Sequence, residues 1–174
     1  MKTLFPLESN RLLIQPLTYD QAWQYRAGTF YMDENPAAVL TTYSISPRLS
    51  EVMDNFLLPK LKEVGADYLF HTIWLIREKQ SGTIVGSFLF KGPVSAVGSV
   101  EIGYGTEPGF QGRGYMTEAV AATLHWATSW PEVRIITAET KVDNLASIQV
   151  LKKNNFEQYD QRDDLLFWRR AVSA

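Results

Sequence analysis

The chain alternates between two hydrophobic rhythms, and each rhythm predicts an element. Arg11–Leu17 (RLLIQPL) is a short apolar-rich run with Pro16 near its end, the pattern of a first strand with an edge-like finish. Thr18 and Asp20 supply N-cap chemistry for a helix through Trp23 and Tyr25 to Thr29. Val52, Met53, Phe56, Leu57 and Leu61 recur at three- and four-residue spacing, which predicts a second helix over Ser50–Val64 with Gly65 as its C-cap. Leu69–Glu78 and Thr83–Lys91 are rich in Ile, Val, Phe and Trp. Lys79–Gly82 separates them as a hairpin turn.

A further strand covers Gly98–Thr106, followed by a glycine-rich turn over Pro108–Tyr115 and a helix over Met116–Ser129 stopped by Pro131. Val133–Thr140 alternates like a strand, Asn144–Lys153 is helical, and Phe156–Gln161 and Leu165–Arg170 are two closing strands. The order β-α-α-β-β-β-α-β-α-β-β mixes hairpins with helical crossovers. It predicts an α/β (α+β) domain built on a mixed sheet, not a doubly wound parallel one. No repeat, linker or low-complexity stretch interrupts the 174 residues, so one domain over residues 1–174 is expected.

Composition then narrows the chemistry. There is no cysteine, which excludes a disulfide framework, thiolate metal sites and a cysteine nucleophile. Seventeen basic and nineteen acidic side chains give a net charge of −2, a poor match for a nucleic-acid binder. No apolar run is long enough for a membrane helix, and MKTLFPLESNRLL lacks a signal-peptide core, so a cytoplasmic protein is expected. The only histidines, His71 and His125, have no second ligand at metal spacing, and no metal is expected. The absence of a Gly-x-Ser-x-Gly elbow excludes a serine hydrolase of that type.

The most informative segment is Gly103–Ala119 (GYGTEPGFQGRGYMTEA), where a strand runs into a glycine-rich turn that opens directly into a helix. Unpaired N–H groups and a partial positive charge at a helix start form an anion site. Gly112 and Gly114 permit close backbone approach, and Arg113 adds a charge-assisted contact suited to phosphate. The spacing is neither that of a P-loop nor G-x-G-x-x-G, so a dinucleotide is disfavoured. Glycines placed only for steric reasons in a strand-to-helix turn are the bland alternative.

Gln111-Gly-Arg-Gly114-Tyr-Met116 resembles the Gln/Arg-x-x-Gly-x-Gly/Ala signature of the GNAT N-acetyltransferase superfamily, and Asn144–Phe156 resembles its Asn-x-x-Ala/Ser…Gly-Phe helix. Leu7–Leu17 and Glu101–Tyr104 are similar to the branch holding the ribosomal-protein-alanine acetyltransferases. The resemblance implies a mostly antiparallel mixed sheet of about 6–7 strands flanked by about 4 helices, and acetyl-CoA as cosubstrate. It further implies that Gln111, Gly112, Arg113, Gly114, Tyr115 and Met116 hold the pyrophosphate, while Gly103, Tyr104 and Gly105 pair with the pantetheine arm and supply an oxyanion donor. Asn144 would bond the cofactor, a role compatible with that of a plain N-cap.

Direct acetyl transfer needs a base for the incoming ammonium and an acid for the departing thiolate. Many relatives carry an acid Tyr seven residues after the Asn, where this chain has Leu151. Ser147 occupies the position of the acid in the ribosomal-protein branch. Glu101 and Glu139 are the alternative bases, and each also reads as a sheet-surface carboxylate. Met116 stands where a small residue is usual, and Asn155 where Gly is usual, a mild change at a left-handed C-cap. Phe30–Pro36 falls in the region that lines the acceptor groove in this family, with aromatics beside Asp33 and Glu34 suited to a cationic amine. Asp160–Asp164 (DQRDD) reads as a solvated acidic turn that could add negative potential. The implied partner is an amine acceptor, either a peptide N-terminus or a small molecule. A homodimer is compatible, and nucleic acid and membrane are not expected. The alternative function is a non-catalytic acetyl-CoA-binding module.

Overall fold

The structure is a computed structural model describing residues 5–30, 45–64 and 68–172. Its strands are β1 (Leu7–Glu8), β2 (Leu12–Pro16), β3 (Ile73–Glu78), β4 (Ile84–Phe90), β5 (Ser99–Thr106), β6 (Ile135–Lys141), β7 (Glu157–Arg162) and β8 (Leu165–Ala171). They form one sheet in the order β1-β2-β3-β4-β5-β6-β8-β7. Every neighbouring pair is antiparallel except β5 and β6, which are parallel and joined through a helical crossover. The mixed sheet matches the expectation, with the two-residue β1 as an eighth strand.

Helices cover both faces. On one face, α4 (Tyr115–Ala127) and α5 (Leu145–Lys153) pack Ala119, Val120, Leu124, Ile148 and Leu151 against Ile14, Trp74, Phe88, Phe90, Val100 and Ile102. Aromatic rings dominate this core: Trp74 stacks on Phe88 at 5.2 Å and meets Trp126 edge-on at 5.0 Å. On the other face, α1 (Tyr19–Arg26), α2 (Pro47–Val52), α3 (Leu58–Glu63) and the helical turn joining the last two bury Ala22, Tyr25, Met53, Leu57 and Leu61 against Ile73, Leu75 and Ile84. β3 and β4 are therefore apolar on both faces, and their sequences lack polar alternation for that reason.

Two element boundaries differ from the sequence expectation. The second helix starts at Pro47, because Ser46 caps it by accepting the Leu49 N–H at 3.2 Å and Pro47 is pre-set for the first helical turn. That helix is one rod with a π-turn at Met53–Leu57, where the Leu58 N–H reaches back to the Met53 carbonyl. Pro59 follows directly; it has no N–H for the ladder, and the widened turn upstream accommodates its ring. β3 begins only at Ile73, since Tyr68–Phe70 is a 3-10 turn tied down by the Trp74 indole donating to the Leu69 carbonyl at 3.0 Å. Gly65 and Tyr31–Pro36 lie outside the described residues.

Candidate active site

The parallel pairing of β5 with β6 runs from Ser99↔Ile135 to Ile102↔Ala138 and stops there. β5 continues to Thr106 along β4, while β6 continues to Lys141 along β8. The two strands thus part company at Gly103, and among the described residues, 103–106 have a strand partner on one side only. An unpaired strand edge offers main-chain donors and acceptors to any amide-bearing ligand. A Cβ built on Gly103 would meet only the Lys91 Cε, at 3.5 Å, and one on Gly105 would meet nothing within 4 Å.

Beyond Thr106, Pro108–Phe110 makes a 3-10 turn and Gln111–Gly114 leads into α4. Gly112 and Gly114 have φ of 73° and 79°, left-handed values that L side chains resist, so these two glycines are required by the turn. Gly114 is the N-cap and offers no capping side chain. The N–H groups of residues 112–117 accordingly find no acceptor among the described residues. Gln111, Gly112, Arg113 and Gly114 are exposed, with Arg113 over the Phe110 ring at 5.4 Å. The donor set and the open cradle fit a pyrophosphate.

Residues far away in sequence hold this turn. Glu118, in the first turn of α4, accepts the Arg11 N–H and the Ser9 hydroxyl on one oxygen and the Arg11 guanidinium on the other, each at 2.7 Å. Burial pushes the Glu118 carboxyl up, but these bonds outweigh it and hold it below the ordinary glutamate value. The same guanidinium donates to the Arg113 carbonyl at 3.2 Å and lies 4.6 Å over the Tyr115 ring. Tyr115 in turn donates to Glu78 at 2.6 Å. Met116 is buried, and its Cε lies 3.2 Å from where a Gly86 Cβ would stand. Gly86 on β4 therefore makes the room that the larger residue at position 116 needs. None of Ser9, Arg11, Glu78, Gly86 or Glu118 is singled out by local spacing, because each acts on the turn across the sheet.

α5 begins beside the gap. Asn144 is its N-cap, with Oδ1 accepting the Ser147 N–H at 3.1 Å. The Ser147 carbonyl accepts the Tyr104 hydroxyl at 3.2 Å, and burial pushes that phenol up, well above its ordinary value. Tyr104 thus points its ring to the α5 side of the sheet while its backbone stays on the free edge. The Ser147 hydroxyl is half-buried and has no hydrogen-bond partner among the described residues. Leu151 is fully buried in the core. At the other end of α5, Asn155 takes φ 56°, Phe156 N–H bonds the Leu151 carbonyl and Asn155 N–H the Lys152 carbonyl, both at 3.0 Å. This is a Schellman ending, the left-handed C-cap expected of Asn155.

Glu101 and Glu139 lie on the face opposite α4 and α5. Glu101 is in register with Thr137, so strand alternation puts Glu139 on the same side, one pleat further into the gap. Lys91, just past β4, forms ion pairs with both, to Glu101 and, at 3.4 Å, to Glu139. The acidic stretch near the C-terminus is less of a turn than expected: Asp160–Arg162 belongs to β7, Asp160 pairs with Arg162 and Asp164 with Lys141.

Comparison with known proteins defines the class. Residues 11–157 match the family model of the acetyltransferase (GNAT) domain. The chain belongs to the GNAT acetyltransferase family. It is 37% identical over 83 residues to an uncharacterized N-acetyltransferase, YjdG, of Bacillus subtilis; the match takes in 48% of this chain and spans about half, 49%, of that curated relative. Its fold is shared with ribosomal-protein-S5-alanine acetyltransferase from Vibrio fischeri, at TM-score 0.68 and 17% identity over 95% of each chain. It is likewise shared with RimL, a ribosomal L7/L12 alpha-N-protein acetyltransferase solved in complex with coenzyme A, at TM-score 0.66 and 18% identity over 98% of each chain. No helix among the described residues is long and apolar enough to cross a membrane.

Proposed function

We propose that this protein transfers acetyl from acetyl-CoA to a primary amine by direct attack, with either a peptide N-terminus or a small amine as acceptor. The observation that carries this reading is the parting of β5 from β6 at Gly103, next to a turn whose amides at 112–117 have no acceptor among the described residues. One cosubstrate with a peptide-like arm and a pyrophosphate fits both halves of that arrangement.

In this reading the amides and Arg113 bind the pyrophosphate, with Gln111, Tyr115 and Met116 framing the turn. Gly103, Tyr104 and Gly105 pair by main chain with the pantetheine amides, and one of their N–H groups stabilises the developing oxyanion, a contribution of about 3 kcal/mol. Asn144 caps α5 through its side-chain oxygen, and its amide nitrogen, without a partner among the described residues, bonds the cosubstrate. Glu101 or Glu139 takes the proton from the acceptor ammonium. Ser147, whose hydroxyl has no partner among the described residues, donates to the departing thiolate sulfur. The thioester supplies the activated acyl group.

The test is calorimetry with acetyl-CoA followed by mass spectrometry of an amine and peptide panel. Binding with turnover on at least one amine is the expected result. Binding without turnover across the panel assigns a non-catalytic acetyl-CoA module instead. Ser147→Ala should lower kcat about 100-fold while leaving acetyl-CoA affinity intact; an unchanged kcat removes Ser147 as the acid.

A further inference from the structure

The ion-pair cluster at the mouth of the gap already holds an amine. Lys91 Nζ sits between Glu101 on β5 and Glu139 on β6, and its Cε passes 3.5 Å from the Cβ position of Gly103, the first residue of the free edge. The three side chains remain 29–38% exposed, so the site is wet and within reach of a substrate. A surface pair of this kind contributes little to stability, about 0–1 kcal/mol. Its stability contribution therefore gives no reason for a lysine to be drawn across the very strand edge proposed to receive the thioester.

Resting on the acetyl-transfer reading above, we propose that Lys91 is itself an acetyl acceptor: its ammonium occupies the acceptor-amine seat, and the chain acetylates it when no other amine displaces it. The step balances without further reagents. A carboxylate of Glu101 or Glu139 takes one proton from the Lys91 ammonium, and the freed lone pair attacks the thioester carbonyl carbon. The N–C bond forms and the C–S bond breaks. The carboxylate passes the first proton to water, and the second proton, lost by the new amide nitrogen, is delivered through the Ser147 hydroxyl to the departing thiolate, which leaves as coenzyme A. The modified side chain has lost its charge and its hold on both glutamates, so the seat is vacated for a cationic acceptor.

The experiment needs no knowledge of the natural acceptor. The full chain is incubated with isotope-labelled acetyl-CoA alone, and acetyl-lysines are quantified by peptide mapping over time. Lys60, Lys62, Lys79, Lys141, Lys152 and Lys153 report the uncatalysed background. Pre-positioning should make Lys91 react about ten times faster than their mean, at a rate per molecule independent of protein concentration. The Glu101→Gln, Glu139→Gln double variant, checked for folding by circular dichroism, should bring Lys91 down to background. A chain that binds acetyl-CoA in calorimetry yet labels Lys91 at background overturns this proposal alone, as does a rate that climbs with protein concentration or survives in the double variant. A chain that does not bind acetyl-CoA overturns the acetyl-transfer reading and this one together.

Discussion

Position 116 and position 86 are understood only as a pair. Met116 is larger than its place in the turn normally takes, and β4 answers with a glycine where its Cε lands. Gly86 is also in close approach to β5: a Cβ there would stand 2.6 Å from the Gly105 carbonyl oxygen and 3.3 Å from the Thr106 Cα. Backbone cannot yield as a flexible side chain can, so Gly86→Ala should cost about 1–3 kcal/mol. Because the displaced atoms belong to Gly105 and Met116, the same variant should weaken acetyl-CoA binding. Denaturant unfolding and calorimetry read the two effects. A variant as stable as wild type would mean that the β4–β5 spacing is slack.

Elements carry the next layer of control. α5 starts on Asn144, whose cap also orients the backbone of Ser147, and ends on Asn155 in a left-handed conformation. The helix is thereby clamped at both ends around the candidate acid, and Leu151 and Phe156 seat its last turn in the core. Left-handed backbone costs a non-glycine residue about 1 kcal/mol, and Asn less than most. Asn155→Gly should accordingly stabilise by about 0.5 kcal/mol and Asn155→Ala destabilise by about 1 kcal/mol, as thermal unfolding would register. The reverse order would contradict the Schellman ending. Much of this layer was legible beforehand: the periodicity of α4 and α5, the hairpin at Lys79–Gly82 and the strand-turn-helix at Gly103–Ala119 are local patterns. The start of α2 at Pro47 is local too, written in the cap and first-turn pair Ser46-Pro47 ahead of the apolar run.

Across the whole molecule, the N-terminal strands act as a brace for the turn. Ser9 and Arg11 reach Glu118 and Arg113 from the far side of the chain, linking β2 to the start of α4. Glu118 ionises more readily folded than unfolded, so its contribution to stability is fully present above the ordinary value of 4.5 and is lost as pH falls through its lower folded value. Unfolding free energy measured against pH should therefore fall more steeply on the acid side of 4.5 in the wild type than in Glu118→Gln. Parallel curves would show that the brace carries no net electrostatic stability. With Arg11 about two-fifths exposed, its removal should cost about 1–2 kcal/mol rather than the full value of a buried pair.

Element order, the two glycines that turn the chain into α4 and the capping of α5 are all encoded locally, because each depends on residues a few positions apart. The resemblance carried by those same motifs placed the chain in its family. The eighth strand, the parting of β5 from β6, the Arg11–Glu118 brace, the Gly86–Met116 fit and the seat of Lys91 between Glu101 and Glu139 were decided only by tertiary structure. Their physical cause is register. Which residues meet across the sheet depends on strand order and on where pairing stops, and no local periodicity encodes a contact such as Arg11–Glu118, made by residues 107 positions apart.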